Sequence, residues 1–446
     1  MKRNAIKKLI TWKEQSSRKS MWITGIKSVG KTFLALDFAK SFYEGNLYVN
    51  FETNAAVCNL FQKAAYSIEN ELNIIELLYQ YYEIPLELSG NLLIILDEIT
   101  FCKEAMEALN HYLMNVTSVP GTPVTGTKVS ETKVTGNNVP ILVLSSEFIE
   151  VDDKFFDSFT LYPMEFDEFL VASGDEWYAE VIKGHYQTNR KIPEIVHKEL
   201  LTIFEDYLLV GGMPAAVSDY ITMENTNNVA EIHQRIYLSL LASAKEKHSE
   251  SDALKLSQVC SVMVEQLLKE NKKFQYRLIR KGATYAHYKD VIQYLVTNSL
   301  VYKCSKGTYD KTEGITISPE ALQFKLYVAD VGILNTLIRK NSLYLDNQNE
   351  MIEKTILDNY IMQSLIARGY LPNFWESNSQ AKIDFLIQNS DGVIPLEIKT
   401  NENTRSKSVS IFRTAHDIPY SIKISNRNYE YSNQVKHLPY YAMFCL

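Results

Sequence analysis

Eight residues near the start of the chain, GIKSVGKT (25–32), have the types and spacing to hold a run of phosphates. They fit G-x-x-x-x-G-K-[ST], with Gly25, Gly30, Lys31 and Thr32 in the specified places. Glycines there let the backbone turn tightly, so that successive N–H groups point inward at an anion. Ile26, Lys27, Ser28 and Val29 supply the intervening amides, and Phe33 completes the stretch assigned to the ligand. Lys31 reaches the β- and γ-phosphates of a nucleoside triphosphate, and the Thr32 hydroxyl is placed to ligate Mg2+. LLIILDE (92–98) supplies the complementary acids. Asp97, at the carboxyl end of a strand beside the phosphate loop, is placed to hold Mg2+ through water, and Glu98 to polarise an attacking water. Lys31, Asp97 and Glu98 are therefore the candidates to carry hydrolysis. Ser145 and Ser146, ending the next strand, read equally as sensors of the γ-phosphate or as satisfied strand-end hydroxyls. No arginine identifies itself as a finger; Arg190, Arg235 and Arg277 all remain open.

A second constellation lies at residues 351–400. KIDFLIQ (382–388) and VIPLEIKT (393–400) read as strands joined through Asn389-Ser390-Asp391-Gly392, and Asp-Gly is a two-residue hairpin signal. A turn at Asp391-Gly392 pairs Ser390 with Val393, Leu386 with Glu397 and Asp384 with Lys399. With a period of two, Asp384, Glu397 and Lys399 project from one face. The two acids are then diagonal neighbours, roughly 7–8 Å apart, a separation that suits a shared Mg2+ or Mn2+. Glu353, on a helix over 351–370, is expected to add a third carboxylate, and Lys399 to orient a water or stabilise charge on a phosphate. The alternative is a structural ion-pair network, which gathers the same residue types.

The elements that must position these groups follow from hydropathy. SMWIT (20–24), LYVNFE (47–52), LLIIL (92–96), PILVLSS (140–146) and SFTLYP (158–163) read as strands, several apolar on both faces. Helical stretches at 31–43, 55–82 and 101–114 alternate with them. That alternation argues for a doubly wound parallel sheet of the α/β class. Residues 4–15 read as a leading amphipathic helix offering Ile6, Leu9, Ile10 and Trp12. A Thr/Val/Gly/Pro-rich segment, 117–139, reads as a flexible insertion at the strands' N-terminal edge. Beyond it, 164–250 reads as helices broken at Gly211-Gly212-Met213-Pro214, and 251–340 has winged-helix character, with LVYKCSKG beginning a wing. KKFQYRLIRK (272–281) interleaves Lys272, Lys273, Arg277, Arg280 and Lys281 with Phe274 and Tyr276. This reads either as a nucleic-acid face or as a solvated or interdomain surface.

Composition narrows the classes. At 446 residues the chain needs two or three cores. Its net charge of −7 gives no overall attraction to nucleic acid or to an anionic membrane. Five scattered cysteines form neither a metal spacing nor a disulfide framework, which fits a reducing cytoplasm. MKRNAIKKLI lacks the apolar stretch of a signal peptide, and no apolar run reaches membrane-spanning length.

Together these stretches resemble a prokaryotic AAA-type P-loop ATPase family whose C-terminal domain of unknown function has a PD-(D/E)xK nuclease-like fold. The stretches that carry the likeness are GIKSVGKT, YVNFE, LLIILDEI, LYPMEFDEFL, YLLVGGMP, KENKKFQYRLIRKGA, KLYVADVGIL, KIDFLI and PLEIKT. Two places depart from the family: Lys27-Ser28 where Arg-Gln is common, and Ser145-Ser146 where Gly-Ser is common. The resemblance implies an ASCE-type core (1–163), a helical connector (164–250), a winged-helix-like domain (251–340) and a nuclease-like domain (341–446). It also implies Glu353, Asp384, Glu397 and Lys399 as the nuclease-like site, with a second Mg2+ or Mn2+ as its candidate metal. The expected function is Mg2+-dependent ATP hydrolysis coupled to that domain, as in a DNA-processing or defence ATPase. The rival is a regulatory NTPase switch that binds a protein partner, with the last domain silent. The expected setting is cytoplasmic, with nucleic acid, a protein partner and a homo-oligomer as candidate associations, and no membrane.

Overall fold

SMWIT, LLIILD and ILVLS are apolar on both faces, and each becomes a strand covered on both sides. The computed structural model describes residues 1–15, 18–65, 74–84, 92–117, 139–310, 314–317, 323–340, 349–377, 381–400 and 407–446. The expected insertion at 117–139 falls almost wholly outside them. Two units result, Arg3–Leu161 and Tyr162–Leu446, the latter taken with Met1–Lys2.

The N-terminal unit runs α1 (Ile6–Glu14), β1 (Ser20–Thr24), α2 (Lys31–Phe42), β2 (Gly45–Asn50), α3 (Ala55–Ala65), α4 (Ile74–Tyr81), β3 (Leu92–Asp97), α5 (Lys103–Thr117), β4 (Ile141–Ser145) and β5 (Phe156–Thr160). Its five strands lie in the order β2-β3-β4-β1-β5, and every pairing is parallel. The register sets Thr24 level with Ser145 and with Thr160, and Asp97 level with Leu144 and Asn50. The carboxyl ends therefore finish along one edge, and the loops that carry the candidate site leave from it. In α1, Leu9 and Trp12 are the residues fully buried, and the Trp12 Nε1 donates to Lys19 O at 2.7 Å. Two strand boundaries differ from the hydropathy reading. β2 stops at Asn50, whose Oδ1 accepts from Thr53 N and Oγ1 and turns the chain. β5 begins at Phe156, where that ring packs edge-on against Trp22.

The C-terminal unit runs α6 (Phe166–Ala172), α7 (Glu176–Thr188), α8 (Glu194–Val210), α9 (Pro214–Met223), α10 (Val229–Glu246), α11 (Glu250–Leu267), α12 (Tyr285–Thr297), β6 (Val301–Lys306), β7 (Thr308–Asp310), β8 (Gly314–Thr316), β9 (Phe324–Val328), α13 (Val331–Lys340), α14 (Asn349–Ala367), β10 (Asn373–Glu376), β11 (Lys382–Asn389), β12 (Gly392–Ile398), α15 (Lys407–Ala415), β13 (Ser421–Ser425), β14 (Glu430–Ser432) and β15 (Val435–Pro439). Eight strands form one sheet, β14-β15-β13-β12-β11-β10-β6-β9. The sheet crosses the boundary expected near residue 340: β6 pairs antiparallel with β9 and parallel with β10. LVYKCSKG thus contributes an internal strand of a large sheet. Among the described residues, no helix is long and apolar enough to cross a membrane.

The YLLVGGMP and YVADVG stretches meet in a buried knot. Asp330 is fully buried and accepts from Gly212 N (2.7 Å) and, at the start of α13, from Ile333 N (3.0 Å). Burial raises its carboxyl above the ordinary range, while His233 and these N–H groups pull it back. The His233 Nε2 faces Val210 O at 2.9 Å and so must be the donor, and Nδ1 pairs with the Thr336 hydroxyl at 2.8 Å. Glycine is obligatory at 212, because a Cβ would sit 2.2 Å from Met164 O. Gly212→Ala should lower stability by about 3 kcal/mol in urea unfolding, whereas Gly184→Ala, in α7 with nothing within 4 Å of the new methyl, should be neutral or mildly stabilising.

Candidate active site

The loop between β1 and α2 is held by its apolar residues. Ile26 and Val29 are buried, and Arg3 Nη1 donates to Val29 O at 2.8 Å. Gly25 (φ 153°) has Leu161 O at 2.4 Å from any Cβ, and Gly30 (φ 100°) lies in the left-handed region just before α2. Lys31 and Thr32 then open α2, where unpaired N–H groups and the helix dipole favour an anion. Lys27 reaches out to Glu52, and Phe33 stands exposed on the first turn.

Lys31 is buried, and its Nζ donates to Gly25 O (2.8 Å), Ile26 O (3.4 Å) and Ser146 Oγ (2.9 Å). Burial lowers its pKa, and Glu98 and Asp97 pull the other way. Glu98 Oε1 lies 3.6 Å from that ammonium. Glu98 occupies the left-handed region at φ 52°, a sparsely populated conformation for a residue with a Cβ. Its carboxylate turns to Ser146, accepting from the backbone N at 3.0 Å and from Oγ in a short contact. Ser145 instead donates its hydroxyl to Glu147 O at 2.6 Å. The two serines left open by the sequence are thus separated: Ser146 touches the charged groups and Ser145 braces the strand end.

Asp97 is buried, and burial raises its carboxyl while donors from Thr32 and Tyr48 oppose the rise. Its Oδ2 accepts from Thr32 Oγ1 at 2.7 Å and from the Tyr48 hydroxyl at 2.8 Å. An alcohol and a carboxylate side by side are hard oxygen donors of the kind Mg2+ takes, so the residues present fit that ion. Tyr48 went unnoticed in the sequence. Its signal was the polar pair Tyr48 and Asn50, two apart on a strand that otherwise reads as core.

Three family matches divide the chain: an AAA domain over residues 17–170, and two domains of unknown function, DUF8612 over 201–344 and DUF4143 over 353–443. The stretch similar to the AAA domain holds the phosphate loop, Asp97, Glu98 and Ser146. Among similar solved structures, the Walker-type ATPase of Pyrococcus abyssi is 14% identical, covers 74% of this chain and 94% of its own, and has a TM-score of 0.40. The Orc1 protein of Aeropyrum pernix in complex with DNA is 11% identical over 76% and 92%, with a TM-score of 0.30. AMPPCP-bound DnaA from Aquifex aeolicus is 11% identical over 65% and 85%, with a TM-score of 0.26. No curated protein matches the sequence. The candidate arginines 190, 235 and 277 all lie outside the stretch similar to the AAA domain.

The second constellation is arranged differently from its sequence reading. β11 and β12 pair Asn389 with Gly392, Gln388 with Val393 and Phe385 with Leu396. The turn is therefore Ser390-Asp391, closed by Asp391 N donating to Asn389 Oδ1 at 2.9 Å, and the register differs by two from the one expected. A shift of two preserves faces, but Asp384 now comes level with Glu397 instead of Lys399. Lys399 stays beside the acids, 3.1 Å from Glu397 Oε1. Glu353, the third acid expected there, lies on α14. It lines a cavity of about 750 Å3 with Glu205, Ile356 and Tyr440. Its neighbour Lys354 turns toward the sheet instead, 3.4 Å from Asp384 Oδ1 and 3.1 Å from Asp358 Oδ1. Among the described residues, no three His, Cys, Asp or Glu side chains are grouped to hold a metal ion.

The basic stretch also turns inward. Lys272 is buried 2.6 Å from Asp358, Lys273 pairs with Glu376, and Phe274 is buried against Phe324. Arg277, Arg280 and Lys281 remain exposed. Burial alone would raise Asp358, yet Lys272, Lys354 and Lys325 outweigh it and hold the carboxyl at about 2. A depressed folded pKa contributes stability above the unfolded value near 3.9 and loses it as pH falls toward 2. Asp358→Asn should therefore destabilise the protein at pH 7 by about 3–5 kcal/mol. Its urea midpoint should also fall less steeply than wild type between about pH 4 and pH 2.

Proposed function

We propose that the ATPase domain binds Mg2+·ATP and hydrolyses it, with Lys31, Thr32, Asp97 and Glu98 in the roles their positions suggest. The observation that carries this is the shared hub of Lys31, Ser146 and Glu98 beside the Thr32–Asp97 pair. Amides of residues 25–33 cradle the phosphates, and Lys31 exchanges the Gly25 and Ile26 carbonyls for phosphate oxygens. Thr32 and Asp97 hold the metal, which when bound neutralises charge on the phosphate oxygens. Glu98 takes a proton from the attacking water, and Ser146, touching both Glu98 and Lys31, reports on the γ-phosphate. Lys31→Ala should abolish ATP binding in calorimetric titration while the protein stays folded. Glu98→Gln should keep binding and lose about 10²–10³-fold in turnover. Unchanged affinity in folded Lys31→Ala would end this assignment.

For the C-terminal unit, the reading favoured is the partner-binding switch governed by nucleotide state, with the nuclease-like region silent. Lys354 engaging Asp384 supports it, as does the placement of Glu353 on another cavity. The internal positions of Lys272 and Phe274 leave less of the basic stretch for nucleic acid. Supercoiled plasmid and single-stranded DNA and RNA, incubated with protein, Mg2+ or Mn2+, with and without ATP, should stay intact. Cleavage lost in both Asp384→Ala and Lys399→Ala would instead establish an ATP-linked nuclease.

A further inference from the structure

Resting on the ATP reading above, we infer that Tyr48 is a positioning residue for the metal-binding carboxylate of Asp97. β2 lies next to β3 with Asn50 level with Asp97 and Tyr48 two residues earlier on the same face. From there the Tyr48 hydroxyl donates to Asp97 Oδ2 at 2.8 Å, and Asn50 Nδ2 lies 3.3 Å from the Tyr48 oxygen. The direction of this relay is set by chemistry. An amide nitrogen only donates, so Asn50 occupies the phenol as acceptor and leaves its proton for the carboxylate. Thr32 donates to the same oxygen.

Two hydroxyls on Oδ2 do more together than either alone. A carboxylate can rotate about its Cβ–Cγ bond. Donors from two elements, α2 and β2, restrain that rotation and leave Oδ1 free of these donors. Thr32 must also turn a lone pair to the metal, and its proton direction then depends on Asp97 staying put. Tyr48 supplies that constancy from an element that carries no phosphate-binding group. Support of a metal-holding carboxylate from outside the ligand set is worth about 10–100-fold in affinity.

The test uses the full chain, titrated calorimetrically with ATP in EDTA and with ATP in excess Mg2+. Tyr48→Phe should bind ATP in EDTA like wild type and lose about tenfold of the tightening that Mg2+ confers. Because Tyr48 acts through Asp97, Tyr48→Phe should add nothing further in an Asp97→Asn background. Undiminished Mg2+ tightening in Tyr48→Phe would overturn the inference, as would equal weakening with and without the metal or additive losses in the double variant. Wild-type protein that binds no ATP under either condition would instead remove the ATP reading itself, and the Tyr48 role with it.

Discussion

A carboxylate at the end of a buried parallel strand has to be held by donors, and the ATPase domain is arranged around that requirement. Asp97 ends β3, an internal strand of the sheet, and is buried there. Leaving such a group unpaired would cost several kcal/mol. Thr32 and Tyr48 meet the need from the neighbouring helix and strand. Lys31, Glu98 and Ser146 form a second satisfied set one residue away. The level strand ends make this possible, since parallel registers bring loops 25–30, 98–102 and 146–150 to one edge.

The C-terminal unit meets the same constraint with opposite means. Asp358, buried on α14, is neutralised by Lys272 and Lys354 rather than by hydroxyls. Because Lys354 sits between Asp358 and Asp384, one lysine ties the helix to the β11–β12 hairpin. Residues that read as metal ligands or as a nucleic-acid face are thereby drawn into the internal electrostatics of the fold. Their types were compatible with both roles, because a buried charge and a catalytic charge are stabilised by the same neighbours.

Legibility in the sequence followed the range of the interactions. The phosphate loop was readable because its motif is local: Gly30 takes the left-handed backbone of its own turn, and Lys31 and Thr32 follow at fixed offsets, although the atom that excludes a Cβ at Gly25 is the distant Leu161 O. The parallel sheet was readable because strands covered on both faces must be apolar throughout. The hairpin was found but its register missed by two, since Asn389 accepting from Asp391 N moved the turn by one residue. Glu353 and Lys354 face different neighbours because adjacent helix residues diverge by about 100°; Lys354 reaches Asp384 while Glu353 lines a cavity. Tyr48 was missed because its partner is 49 residues away across a strand pairing.

The sequence by itself determined that this chain carries a strand, a phosphate-type loop and a helix, followed by an apolar strand ending in two acids. Those properties are written in residues a few positions apart, whose backbone sterics and periodicity need no distant partner. Only the tertiary structure decided which serine meets Glu98, which lysine meets Asp384, and that the Tyr48 hydroxyl meets Asp97. Each of those depends on strand order and register, which place side chains in contact by burying backbone and apolar surface elsewhere in the sheet.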